Sequence, residues 1–197
     1  MRYRHTLTAV ALTLGFVLAG CGDGDTAGTD GGAAPSGTAQ QSFNETDVEF
    51  AQGMIPHHQQ AIAMAQMASG RAPSPDVQQL AADIEAAQGP EIETMTGWLE
   101  SWGEDVPDDT SGMDGGMSME DMAGMMSTED MTMLEATSGA AFDEMFLTMM
   151  IEHHEGAIEM ARIEQTDGEY AEAIALAEKI ESDQTAEIDT MRKLLGS

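Results

Sequence analysis

The chain has 197 residues, a formal charge of −29, seven basic residues and one cysteine. Such a length allows one domain or two small ones, and a lone cysteine excludes an internal disulfide. The charge opposes binding to nucleic acid or to anionic lipid head groups, and it concentrates cations near the surface. At the N-terminus, Arg2 and Arg4 precede an apolar run from Leu7 to Leu18. A short basic region followed by an apolar stretch too short to span a bilayer predicts an export signal over residues 1–20.

That signal ends in Leu18-Ala19-Gly20-Cys21, which resembles the lipobox of bacterial lipoproteins. The resemblance implies cleavage before Cys21, lipid attachment to it, and an extracytoplasmic protein anchored to the cell membrane. Loss of Arg2 and Arg4 takes the formal charge from −29 to about −31. Residues 21–42 are mostly Gly, Asp, Thr, Ala and Ser, with almost nothing to bury, and predict a flexible tether.

The folded domain is expected over residues 43–197. Asn44 reads as the N-cap of a first helix, with Asp47 completing a capping box. Phe50, Met54, His57, Ala61 and Met64 recur at spacings of four, three, four and three, one seam of an amphipathic helix that Gly70 and Pro73 end. A second helix from near Asp76 to Trp102 carries Leu80, Ile84, Gln88, Ile92, Met95 and Leu99 on its inner face, with a kink expected at Pro90.

The same plan then repeats. Met54-Ile55-Pro56-His57-His58 returns as Met150-Ile151-Glu152-His153-His154, an offset of 96. Leu80, Ile84, Gln88, Glu91, Met95 and Leu99 each recur as the identical residue at that offset. A register that survives across a loop means whole helical hairpins were duplicated, over 43–103 and 139–197. Two hairpins with apolar seams that neither can bury alone predict an all-α four-helix bundle. The connector, residues 104–138, is acidic and Gly-rich, and eight methionines fall between Met113 and Met133. A short helix is expected near 127–137, capped by Ser127 or Thr128.

Four of the five histidines lie in the two repeated pairs. Imidazole beside thioether suits Cu(I), with Cu(II) tolerated by the nitrogens. No Glu stands three residues before any of these histidines and His-Glu-x-x-His is absent, which disfavours a di-iron oxidase or a zinc protease. Carboxylates near the pairs in sequence, Glu152 and Glu155, serve one copy alone. Burial of all four rings without partners would be costly, which favours a metal over plain core packing. The connector's Met113, Met117, Met119, Met122, Met125 and Met126 resemble the methionine-rich tracts of copper-handling proteins and are expected to form a second, weaker class of site.

The doubled Met-Ile-x-His-His-x-x-Ala-Ile-x-Met-Ala, each copy followed by Gln-x-x-Glu-Ile-x-Thr-Met, resembles the bacterial family called "domain of unknown function 305". The resemblance covers about Phe43 to Leu195 and departs at Pro90. It implies a ferritin-like four-helix bundle, often exported, with some members binding copper through His and Met. It points to Met54, His57, His58, Met64, Met150, His153, His154 and Met160 as ligands. The expected function is copper sequestration, tolerance or transfer, with copper-handling proteins as partners. The alternatives are a ferritin-like redox metalloenzyme and a metal-free surface interaction module.

Overall fold

A computed structural model describes residues 42–107 and 122–196. The export signal, Cys21, nearly all of the tether, and Met113, Met117 and Met119 lie outside the described residues. The helices are α1 (Glu45–Ala68), α2 (Pro75–Trp102), α3 (Thr128–Ala136), α4 (Ala140–Asp167) and α5 (Ala171–Leu195). The described residues contain no strand, and the four long helices form the expected bundle. None of these helices is long and apolar enough to cross a membrane.

Local sequence sets the helix ends. The Asn44 side chain accepts the Thr46 and Asp47 N–H groups, and the Asp47 carboxylate accepts the Asn44 N–H at 2.6 Å, the reciprocal pairing of a capping box. Ser127 and Asp130 repeat this device at α3. Ser74 caps α2 with Pro75 at the first helical position, where its fixed φ and missing N–H suit a helix start. Gly103 ends α2 at φ 79°, a left-handed conformation that glycine tolerates. The helix continues through Pro90, so that residue lies within one element.

The central contact is between α1 and α4, which run antiparallel. At one end Asn44 Nδ2 donates to the Asp167 carbonyl at 2.8 Å, and at the other Gly139 N–H donates to the Arg71 carbonyl at 3.0 Å. A second staple respects the 96-residue register. Asp47 accepts the Tyr170 N–H at 2.9 Å, while Asp143 accepts the Ser74 N–H at 3.2 Å. The first helix of each hairpin thus holds the entry to the second helix of the other.

Two apolar cores result. One contains Met64, Ala65, Leu134, Phe142, Phe146 and Met150; the other contains Phe50, Met54, Met95, Leu99, Ala157 and Ile180. Ala61 belongs to the first and Ala157, its equivalent, to the second. The seam between them, where α1 and α4 cross, is occupied by histidine. The inner face of α2 differs from expectation at one place: Ile92 is only partly buried, and Glu91 is buried instead. The reason is a polar partner on α1.

Candidate metal centre

His57 and His153 meet at the crossing, with ring centroids 3.8 Å apart and planes inclined at 44°. All four paired histidines are fully buried. Successive residues on a helix point about 100° apart, so His58 and His154 cannot share that centre and turn outwards to the flanks. There each meets a carboxylate on the other helix of its own hairpin. His58 Nε2 lies 2.8 Å from Glu91 Oε2, and His154 Nε2 lies 2.7 Å from Glu187 Oε2. Glu91 and Glu187 are themselves 96 residues apart, so the duplication extends to these partners.

This corrects the expectation that the histidines lack partners shared by both copies. Glu152 and Glu155 do not fill that role; Arg192 pairs with Glu155 at 2.8 Å on the exposed surface. The partners come from the second helix of each hairpin and are far away in sequence. Their signal was the identical Glu at both copies of Gln-x-x-Glu-Ile-x-Thr-Met. The two halves still differ, because Lys179 Nζ reaches the other oxygen of Glu91 at 2.9 Å while Asp83 stands at the equivalent register.

The connector also enters the centre. His57 Nε2 lies 3.2 Å from the carbonyl oxygen of Ala123, which accepts its proton. Residues 122–126 form a strap held from both sides. Gln60 Nε2 donates to the Met126 carbonyl at 2.9 Å and Gln60 Oε1 accepts the Met126 N–H at 2.7 Å. On α4, Gly124 packs on Gly156: a Cβ on Gly124 would lie 2.8 Å from the carbonyl oxygens of both Glu152 and His153, and one on Gly156 would collide with the Ala123 carbonyl. Met126 is buried in the first core and Met125 is half-buried. Met122 Cε and Met160 Cε both lie over Gly53, 3.4 and 2.9 Å from where its Cβ would be. Part of the connector is therefore built into the bundle. Backbone carbonyls, glycine contacts and the single amide of Gln60 make this join, and none of them leaves a repeating pattern to read.

The predicted ligand set is thus partly gathered. His57 and His153 share one centre, with His58 and His154 on its flanks. Met54 and Met150 are fully buried three residues before His57 and His153, one in each core. Met64 lies seven residues beyond His57, about 10 Å along the axis, and packs in the first core. Met160, its equivalent, stands beside Met122.

Burial keeps His57, His58 and His153 neutral. Burial, with repulsion from His58, drives the His57 pKa down to about 3 against the Ala123 hydrogen bond that favours its charged form. Burial lowers His153 well below the usual imidazole range, and the neighbouring His57 adds to the effect. His58 is lowered by burial in spite of Glu91. Glu91 moves the other way from what burial alone would do: hydrogen bonds from His58 and Lys179 outweigh desolvation and hold it below the usual carboxylate value. Several ring nitrogens make no well-formed hydrogen bond among the described residues: Nδ1 of His57, His58 and His154, and both nitrogens of His153, although the His57 backbone lies close enough to favour the charged form of His153. An unsatisfied buried polar atom costs about 1–3 kcal/mol, so this density of them is unusual for a plain core. No three His, Cys, Asp or Glu side chains converge among the described residues. A metal held here by more than two ligands would need thioether or backbone donors as well as imidazole.

The profile of the family described as "Domain of unknown function (DUF305)" matches residues 47–195. The chain belongs to this family. Solved DUF305 structures superpose on it. A Streptomyces coelicolor protein, described as a candidate secreted protein, is 32% identical with a TM-score of 0.68, covering 77% of this chain and 92% of its own. A Deinococcus radiodurans DUF305 fragment is 30% identical with a TM-score of 0.69, covering 78% and 97%. CopM in its Cu(II)-bound form is 33% identical with a TM-score of 0.64, covering 76% and 95%, and CopM has also been seen with Cu(I) and with silver. No curated protein matches the chain significantly.

Proposed function

We propose that this DUF305 protein is an extracytoplasmic copper-binding protein, lipid-anchored through Cys21, that takes up Cu(I) as cargo for sequestration or transfer. The observation that carries this reading is the contact of two buried, neutral imidazoles, His57 and His153, whose unpartnered nitrogens lie between cores containing Met54 and Met150. A thioether has no proton to lose and a neutral imidazole already has one bare nitrogen, so such donors bind a soft monovalent ion without a deprotonation step. CopM, at 33% identity, supports the same metal. The candidate secreted relative supports the location.

Glu91 and Glu187 bring carboxylates to the histidines, the feature that would favour a redox metalloenzyme. Their contacting oxygens, however, are engaged with His58, His154 and Lys179, which makes them partners of ligands instead of ligands. The deciding experiment is a competition titration of the purified domain with a Cu(I) chelator. Replacement of His57, His58, His153 and His154 by Ala should abolish the tightest phase, while an unchanged tight phase in that variant would sink the histidine site.

A further inference from the structure

We propose that Glu91 and Glu187 are positioning residues that fix His58 and His154 as Nε2–H tautomers and so make Nδ1 the atom that takes the metal. The inference rests on the copper reading above and says what the glutamate of each Gln-x-x-Glu-Ile-x-Thr-Met motif does to its histidine.

A carboxylate can only accept, so the ring nitrogen facing Glu91 at 2.8 Å or Glu187 at 2.7 Å must carry the hydrogen. In a neutral ring the hydrogen on Nε2 leaves a bare lone pair on Nδ1. The Nδ1 atoms of both histidines are buried and have no partner among the described residues. The third case agrees: His57 gives its Nε2–H to the Ala123 carbonyl, and its Nδ1 is likewise unpartnered. Three rings on two helices therefore present the same nitrogen, through acceptors drawn from α2, α5 and the strap. Core hydrogen bonding accounts for the carboxylate at each copy but leaves the opposite, buried nitrogen without a role. A metal-ligating imidazole held by a carboxylate on its other nitrogen does require that arrangement, since the carboxylate orients the ring and raises its donor strength. Of the two glutamates Lys179 pairs with Glu91, so the two flanks differ electrostatically.

The test is long-range proton–nitrogen NMR of the histidine rings, on the intact domain before and after Cu(I) addition. Before addition, His58 and His154 should both show a protonated Nε2 and an unprotonated Nδ1. On addition, the Nδ1 resonances should move and the Nε2–H signals should persist. Loss of Nε2–H, or movement of Nε2 in place of Nδ1, would overturn the proposal and leave copper binding intact. Absence of any Cu(I) uptake would overturn both readings, with the metal-free tautomers then explained as core hydrogen bonding. Glu91→Gln and Glu187→Gln, which permit either tautomer, should each weaken Cu(I) binding by about 10- to 100-fold. Unchanged affinity in both folded variants would reduce the glutamates to core partners. Should either variant fail to fold, the wild-type spectra decide.

Discussion

The two hairpins began as copies, and the places where they now differ show what each half has been given to do. At residue 60 the first copy has Gln60, whose amide holds the backbone of Met126; at the equivalent position the second has Gly156, whose bare Cα receives Gly124. One strap crosses both copies and is fixed by unlike devices, so the pseudo-two-fold relation ends at the strap. The ends of the α1–α4 pair diverge as well. Asp47 and Asp143 make equivalent staples, but Asp47 faces a second buried carboxyl, Glu164, where the other copy has Ala68. Among the described residues, the Asp47 end of the α1–α4 pair holds this acid pair and the Asp143 end has Ala68 in its place. A duplication can preserve a frame while its exceptions mark where closure and pH response were added.

The largest effect is expected at the strap. In Gly156→Ala the new methyl meets the Ala123 carbonyl, a rigid backbone atom, and the strap must shift. Overpacking of this kind costs about 1–3 kcal/mol. A Cβ on Gly97 of α2 meets nothing within 4 Å, so Gly97→Ala should instead stabilise by about 0.5–1 kcal/mol. Urea denaturation of the two variants compares a glycine kept for close approach with one that is not. Equal midpoints would mean that the strap does not rest on α4.

The bundle was legible in the sequence because its causes repeat: apolar seams at helical spacing, Asn44 and Ser127 as caps, and identical inner residues 96 apart. The meeting of His57 and His153 followed from the same symmetry. The rest depended on contacts that a linear pattern does not carry. His58 reaches Glu91 across 33 residues, and the connector joins the site through a carbonyl and a Gly–Gly approach. The composition of the connector does not say where Met122, Met125 and Met126 lie, whereas Gln60, an ordinary polar residue on α1, holds the backbone of Met126.

The acid pair gives the next effect, through pH. Burial, with Asp47 as neighbour, raises the Glu164 pKa from an ordinary 4.5 to about 8. Burial alone would raise Asp47, but the Asn44 N–H, the Glu164 carboxyl and the N–H groups of Tyr170 and Glu169 together hold it below its ordinary value. The folded protein therefore keeps a proton on Glu164 that the unfolded chain has released. Between pH 4.5 and about 8 the native state binds the extra proton, so this group's contribution to stability falls as pH rises through that window. The Asp47 contribution has the opposite sign and is lost only as pH falls below 3.8. Glu164→Gln keeps a donor towards Asp47 without a charge to release. Its stability relative to wild type should be similar near pH 5 and clearly greater near pH 8. A constant difference between the two urea midpoints across that range would show that Glu164 is not protonated in the fold.

The smallest effect should come from Lys179, and it tests the inequality of the flanks. Lys179 bridges Glu91 and Asp183 at 2.9 and 2.7 Å, but its side chain is 54% exposed. Exposed ion pairs contribute about 0.2–1 kcal/mol, so Lys179→Met should lower stability by no more than that and should lose its effect in high salt. Its consequence for the His58 flank is more informative. With the ammonium gone, Glu91 faces His58 alone, as Glu187 already faces His154. The hydrogen bond from His58 Nε2 should then strengthen, and the Nε2–H proton resonance of His58 should move towards that of His154. If the two resonances remain as far apart as in the wild type, the difference between the flanks arises from elsewhere, and Lys179 is a surface ion pair with no bearing on the centre.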